Sequence, residues 1–152
     1  MASVLIIYGS STGNTAYVAG EIEKKLAAQG MDVKTVEAGR AKPEGLCDGF
    51  DMVLLGCSTW GVDTIELQED FVYLFDRLEQ ANVKGKKIAV FGCGESDRMW
   101  FCGAVDAIEK RLKELDADVA HTLRIDGDPK EKKSVINDWA NRVAEDVIRA
   151  KH

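Results

Sequence analysis

The segment Gly9-Ser10-Ser11-Thr12-Gly13-Asn14-Thr15 combines two glycines with four hydroxyl side chains and one amide, and it contains no Lys or Arg. Glycines permit a tight turn, and a helix that starts after such a turn presents free N–H groups and the positive end of its dipole to an anion. The segment therefore predicts a phosphate site built from neutral donors. A simple polar turn with a Ser or Thr cap is the structural alternative.

Two later segments place aromatic side chains beside glycines. In Gly56-Cys57-Ser58-Thr59-Trp60-Gly61, exposure of Trp60 is costly unless the indole packs on a flat surface. The third segment runs over residues 92–103 and contains Met99, Trp100 and Phe101. The structural alternatives are an indole that packs on the protein itself and an aromatic anchor at the start of the next helix.

Strands and helices alternate along the chain. Apolar runs predict five strands, over residues 4–8, 32–37, 52–56, 88–92 and 119–125, and the second of these is at best half buried. Helical spacing predicts helices over 15–29, 67–78 and 104–115, and a last helical region that opens at Asp128-Pro129. In that region we expect an inward stripe formed by Ile136, Trp139, Ala140, Val143 and Val147.

Continuous apolar strands that alternate with helices predict a doubly wound α/β fold, with a five-stranded parallel sheet between two layers of helices. The length of 152 residues fits one domain over residues 1–152, and five strands favour the order 2-1-3-4-5 over a longer Rossmann sheet. In such sheets ligands bind at the carboxyl ends of the strands, where the order switches between strands 1 and 3. The three segments should therefore converge on one site.

One phosphate cradle and two aromatic walls match the phosphate, ribityl chain and tricyclic ring of FMN. The first segment, Tyr8 to Thr15, resembles the phosphate-loop signature of flavodoxins. Leu55-Gly56-Cys57-Ser58-Thr59-Trp60-Gly61 with Ile65-Glu66-Leu67-Gln68, and Phe91-Gly92-Cys93-Gly94 with Phe101-Cys102-Gly103-Ala104-Val105, resemble the short-chain flavodoxins of sulfate-reducing bacteria. The resemblance extends over essentially the whole chain.

This resemblance implies a flavodoxin-like three-layer sandwich and a low-potential one-electron carrier that binds FMN non-covalently, cycles mainly between semiquinone and hydroquinone, and is not an enzyme. It implies that Trp60 covers the inner ring face, that the Gly61 carbonyl accepts from the flavin N5–H, and that backbone groups of Glu95 and Cys102 meet the pyrimidine end. The candidate cofactor contacts are Ser10, Ser11, Thr12, Gly13, Asn14, Thr15, Ser58, Thr59, Trp60, Gly61, Cys93, Gly94, Glu95, Arg98, Met99, Trp100, Phe101 and Cys102.

The chain departs from the family pattern at the outer ring face. Family members usually place a Tyr in the third segment, and the matching residue here is Arg98, followed by Met99 and Trp100. A guanidinium can stack on a ring, and a thioether can pack against one, so which of the three side chains covers the outer face stays open. A second departure is Val62, where relatives often have an acidic residue.

The net charge of −6 disfavours nucleic acid and anionic lipid as partners. We expect a monomer whose redox partners dock at the exposed flavin edge, beside an acidic rim formed by Asp63, Glu66, Glu69, Asp70, Glu95 and Asp97. The N-terminal run reads as a strand and not as a signal peptide, so we expect a cytoplasmic protein without a membrane span. The sequence has no C-x-x-C pair that would indicate a metal site. We expect the four cysteines to be small buried hydrophobes, and we expect His121 and His152 to be surface residues.

Three other functions fit part of this pattern. A small FMN-dependent NAD(P)H reductase is the alternative that shares the cofactor, but no obvious insertion is available to build a substrate pocket. A receiver domain would need paired acidic residues after the first strand, where this chain has Gly9-Ser10. A P-loop NTPase would need the Lys of G-x-x-x-x-G-K-[ST], which the first segment lacks.

Overall fold

The computed structural model describes residues 2–9, 13–57, 59–60, 66–67, 69–94 and 103–151. Five parallel strands form the main sheet: β1 (Ser3–Gly9), β2 (Asp32–Glu37), β3 (Met52–Cys57), β4 (Lys87–Gly94) and β5 (Asp118–Asp126). Their order in space is β2-β1-β3-β4-β5, which confirms the predicted 2-1-3-4-5 arrangement. All five predicted strands are present, and none extends more than two residues beyond its predicted bounds.

Helices cover both faces of the sheet. The α-helices are α1 (Asn14–Ala28), α2 (Glu69–Phe75), α3 (Gly103–Glu114) and α4 (Lys133–Lys151), and short 3-10 turns lie at Ala38–Arg40, Leu78–Gln80 and Pro129–Lys132. Side chains of α1 and α4 pack on one face, and side chains of α2 and α3 pack on the other. No helix in the described part of the chain is long and apolar enough to cross a bilayer.

The central strands are apolar at nearly every position beyond their first residues because both of their faces are buried. In β1, Val4 and Ile6 join the core beneath α1 and α4, while Leu5 and Ile7 join the core beneath α2 and α3. Successive side chains of a strand point to opposite faces, so a strand between two helical layers needs apolar residues throughout. The edge strand β2 is only partly buried, as its mixed sequence predicts.

The predicted stripe of α4 is confirmed. Its members are all at most 2% exposed and belong to the core shared with α1: Ile136, Trp139, Ala140, Val143 and Val147. Burial of each large apolar side chain stabilises the fold by about 1.5–3 kcal/mol, so this face is what holds α4 on the sheet. The Trp139 ring lies 6.2 Å from that of Phe91 on β4 and 6.4 Å from that of His121 on β5, measured between centroids.

The prediction of one helix over 67–78 is wrong at both ends. Leu67 pairs with Thr59 in a two-stranded antiparallel hairpin, and the α-helix runs only over Glu69–Phe75 before the turn at Leu78–Gln80. The apolar spacing still marked the buried face correctly, because Phe71, Leu74 and Leu78 are at most 1% exposed. Pairing within this local hairpin overrode the preference of Leu67 for a helix.

The prediction that His121 is a plain surface residue is also wrong. Its side chain is 21% exposed, and its Nε2 lies 2.9 Å from Oδ2 of Asp146 on α4. The other carboxylate oxygen of Asp146 accepts from Nζ of Lys87 at 2.7 Å. These contacts lower the pKa of Asp146, the hydrogen bond from Lys87 being the largest cause. Asp146 thus ties α4 to β4 and β5, whereas His152 lies outside the described residues.

We predict that Asp146→Asn lowers the free energy of unfolding by about 1 kcal/mol at pH 7, because Lys87 and His121 lose their shared partner. A depressed carboxyl pKa stabilises the fold above the unfolded-state pKa, near 4, and this contribution is lost as the pH falls through the folded-state pKa. Urea unfolding from pH 7 down to pH 3 should show the difference between variant and wild type shrinking below about pH 4. Asp138→Asn, at an exposed position on the same helix, is the control. A difference that stays constant with pH would contradict the assignment.

Candidate functional site

The three chemistry-bearing segments leave the sheet at one edge. Gly9, the last residue of β1, is the register partner of Cys57, the last residue of β3. Gly56 of β3 is in turn the partner of Phe91 of β4. Strand β2 is added on one side of β1 and strand β3 on the other, so the order of the strands reverses at β1. The predicted convergence at this switch point is confirmed for the ends of β1 and β3.

The described part of the first segment is the start of α1. Gly13 is the N-cap and has a φ of 92°, a left-handed conformation that favours glycine, and its carbonyl accepts from the Tyr17 N–H at 2.9 Å. A glycine cap has no side chain to occupy the first N–H groups, and the first turn contains no acidic residue. Asn14 is exposed beside it. This helix end is therefore suited to an anion, whereas Ser10, Ser11 and Thr12 lie outside the described residues.

Thr15 links the first segment to the third. Its side chain is fully buried and forms a hydrogen bond with the thiol of Cys93, near the end of β4. Burial raises the pKa of Cys93 to about 11, and the Thr15 bond partly opposes that rise. Cys93 is consequently a neutral thiol near pH 7, and this residue acts here as a packed link between two loops.

The second segment forms the hairpin in which Trp60 pairs with Glu66 and Thr59 with Leu67. The hairpin lies beside β4 and α3, which places the backbone of Trp60 at the same edge of the sheet. Ser58 and Gly61 lie outside the described residues, so the predicted roles of the Trp60 indole and the Gly61 carbonyl stay predictions.

The third segment is described only at its two ends. Cys93 is buried, and the carbonyl of Gly94 accepts from the Gly127 N–H at 2.9 Å, which fixes the departure from β4. The chain returns at Gly103, the buried first residue of α3. The predicted contacts that lie between these ends are outside the described residues: Glu95, Arg98, Met99, Trp100, Phe101 and Cys102.

Two glycines allow the strands and α3 to approach closely at this edge. A Cβ on Gly56 would lie 2.2 Å from the Phe91 ring, and a Cβ on Gly92 would lie 2.5 Å from the Cys57 carbonyl oxygen and 2.7 Å from Cγ2 of Val105. These distances leave no room for a methyl group. From the sequence, Gly56 and Gly92 were predicted only to end strands, and their packing role was missed.

Sequence reasoning also missed an ion pair between β5 and α3, in which Arg124 is 32% exposed and Asp106 is 58% exposed. Arg124 was read as part of an apolar strand, yet its side chain reaches Asp106 in the first turn of α3. A charged residue within a largely apolar strand was the available signal, because such a residue usually has a partner. Cys47, Cys57 and Cys93 are buried, as predicted, and Cys102 lies outside the described residues.

Comparison with known proteins finds flavodoxins both by sequence and by structure. A family model described as Flavodoxin matches residues 6–139. A flavodoxin of Nitratidesulfovibrio vulgaris (strain DSM 19637 / Miyazaki F) is 53% identical over 144 residues, which cover 94% of this chain and 97% of that protein. A flavodoxin of Maridesulfovibrio salexigens is 45% identical over 148 residues, which cover 97% of this chain and all of that protein. The structure of Fusobacterium nucleatum flavodoxin bound to flavin mononucleotide shares the fold, with a TM-score of 0.79 at 20% identity and coverage of 96% and 99% of the two chains.

We predict that Gly92→Ala destabilises the protein by about 1–3 kcal/mol, because the added methyl overlaps the Cys57 carbonyl and Val105. Gly20→Ala is the matched control, since nothing lies within 4 Å of a Cβ at that helical position. Alanine there should stabilise the fold by up to about 1 kcal/mol. Urea unfolding of the two variants measures both signs, and equal effects would contradict the proposed close approach.

Proposed function

Because the chain belongs to the flavodoxin family, whose members carry electrons between proteins and are not enzymes, we propose that it works at low potential and cycles mainly between the semiquinone and hydroquinone forms of its FMN. The cofactor of this family is FMN, which supplies one-electron chemistry when bound. The polypeptide binds it, orients it and sets the electrostatic field around it.

The observation that carries the proposal is the amino end of α1, which has a glycine cap and lies at the switch point of the sheet. The N–H groups that follow Gly13 face the edge at which β1, β3 and β4 end, with no side-chain cap and no acidic residue in the first turn. One phosphate fits such a site without a cation. The six residues from Ser10 to Thr15 are accordingly proposed as the phosphate loop.

The low potential is supported by the charge of the chain around this phosphate loop. No Lys or Arg occurs between Gly9 and Thr15, and Asp63 and Glu66 follow the second segment. The third segment contains Glu95 and Asp97 against one cation, Arg98. Negative charge near a flavin opposes a further negative charge on the reduced ring. Residues of this chain therefore disfavour the fully reduced anion and lower the potential at which it forms.

Electron transfer to partner proteins follows from the family, and the docking site is part of the proposal. We place it at the exposed flavin edge beside the acidic rim defined above. A basic partner would be attracted there and would leave quickly, because a small charged interface gives fast association with little buried area. A monomeric state and a cytoplasmic location belong to the same proposal. Among the described residues, Cys47, Cys57 and Cys93 are buried cysteines that form no disulfide, which fits a reducing compartment.

We predict that Asn14→Ala weakens FMN binding by about 10- to 100-fold, because a hydrogen bond to a charged group is worth about 1.5–3 kcal/mol. Riboflavin, which lacks the phosphate, should bind the variant and the wild type equally. Fluorescence titration of the apoprotein with each flavin makes the comparison, and Asn137→Ala on α4 is the control variant. Equal losses for both flavins would show that Asn14 does not contact the phosphate.

We predict that the rate of electron transfer to a basic c-type cytochrome falls as salt is added, because screening removes the attraction of the acidic rim. Glu66→Gln with Glu69→Gln should slow the reaction at low salt and flatten its salt dependence. Asp138→Asn with Glu145→Gln changes the net charge equally, but on exposed positions of α4. Stopped-flow rates that respond equally to both double variants would argue against docking at the rim.

A further inference from the structure

The third segment returns to the sheet at a point held by a few contacts. The chain leaves β4 at Gly94 and re-enters the described structure at Gly103, the first residue of α3. The first turns of α3 therefore fix where the segment ends. Gly103, Ala104 and Val105 are all buried against the sheet.

Arg124 binds the first two turns of α3 from the neighbouring edge strand. Its guanidinium contacts Oδ1 of Asp106, lies 3.5 Å from Oε1 of Glu109, and donates to Oγ1 of Thr122 at 3.2 Å. The side chain is 32% exposed, so the group is partly shielded from solvent. The carboxylate of Asp106 also lies in the first helical turn, where the helix dipole favours a negative charge.

The same level of the sheet holds the other side of this helix start. Arg124 of β5 is the register partner of Gly92 of β4, and Gly92 is the residue whose Cβ would overlap Val105. Val105 thus packs onto β4 while Asp106 is bound by β5. The start of α3 is consequently held at two adjacent strands, once by packing and once by charge.

We propose that Arg124 is a positioning residue for FMN, which acts by holding the start of α3 where the third segment returns. The proposal rests on the proposed function and on the expectation, implied by the family resemblance, that the third segment contacts the pyrimidine end of the cofactor. If α3 is allowed to shift on β5, FMN has to order this return point on binding and binds less tightly. Arg124 is proposed to act only through α3 and not by contact with FMN.

The chain offers a matched control at the opposite end of the sheet. The Lys87–Asp146 ion pair, with Lys87 28% exposed, also joins a helix to the sheet, in this case α4 to the amino end of β4. Lys87 is the first residue of β4, whereas the cofactor segments follow its last residues. Loss of either ion pair should cost similar global stability, but only loss of the Arg124 pair should affect cofactor binding.

The test compares Arg124→Gln, Arg124→Lys and Lys87→Gln with the wild type. Hydrogen exchange of the FMN-loaded protein, followed by mass spectrometry, reads the peptide over residues 103–109, and fluorescence titration gives the FMN dissociation constant. In Arg124→Gln we expect exchange in this peptide to be about fivefold faster and the dissociation constant to rise about three- to fivefold. Arg124→Lys should lie between, because an ammonium keeps the charge but lacks the planar fork. Lys87→Gln should leave both values unchanged.

The proposal is overturned if Arg124→Gln matches Lys87→Gln in either measurement. Faster exchange with unchanged FMN affinity would overturn it as well, because Arg124 would then stabilise the helix without positioning the cofactor. Failure of the proposed function would look different, since the wild type itself would then bind no FMN.

Discussion

The candidate site exists only because β1, β3 and β4 lie side by side and end at one edge. That neighbourhood is fixed by burial of both faces of the sheet, since Val4 and Ile6 face one helical layer while Leu5 and Ile7 face the other. A one-residue slip of a strand would exchange the two sets. Gly92 then lets β4 and α3 approach the Cys57 carbonyl closely. Loops that are far apart in sequence are thereby brought to one place.

At the carboxyl ends of the strands, the proposed phosphate site and the proposed ring site have different electrostatic requirements. The amino end of α1 favours a phosphate through N–H groups and the helix dipole, with Gly13 as a cap that competes for neither. In the proposed function no cation is needed there, so the proposed acidic residues beside the flavin ring are not offset at the phosphate and disfavour an anionic reduced ring. Arg98 is the exception in the sequence, and its position relative to the ring decides how strongly it offsets that field.

The regular parts of the fold were predictable because their signals are local. Continuous apolar runs predicted the buried strands, and 3.6-residue spacing predicted the inner face of α4. The errors arose where a contact outside the residue's own predicted element decides the outcome. Leu67 joins a two-residue hairpin with Thr59, and His121 bonds to Asp146 of α4. Residue types predicted a candidate site at the carboxyl ends of the strands, but they did not identify Cys93 as the partner of Thr15 or α3 as the partner of Arg124.

Stepwise anaerobic reduction of the FMN-loaded protein, followed by its visible spectrum, tests the central claim most directly. The account predicts a yellow oxidised protein that passes through a distinct one-electron stage with a blue neutral spectrum, and then bleaches at a clearly lower potential. A yellow protein that bleached in a single two-electron step would contradict the one-electron carrier and favour a reductase. A colourless protein that took up no added FMN would contradict the cofactor assignment itself.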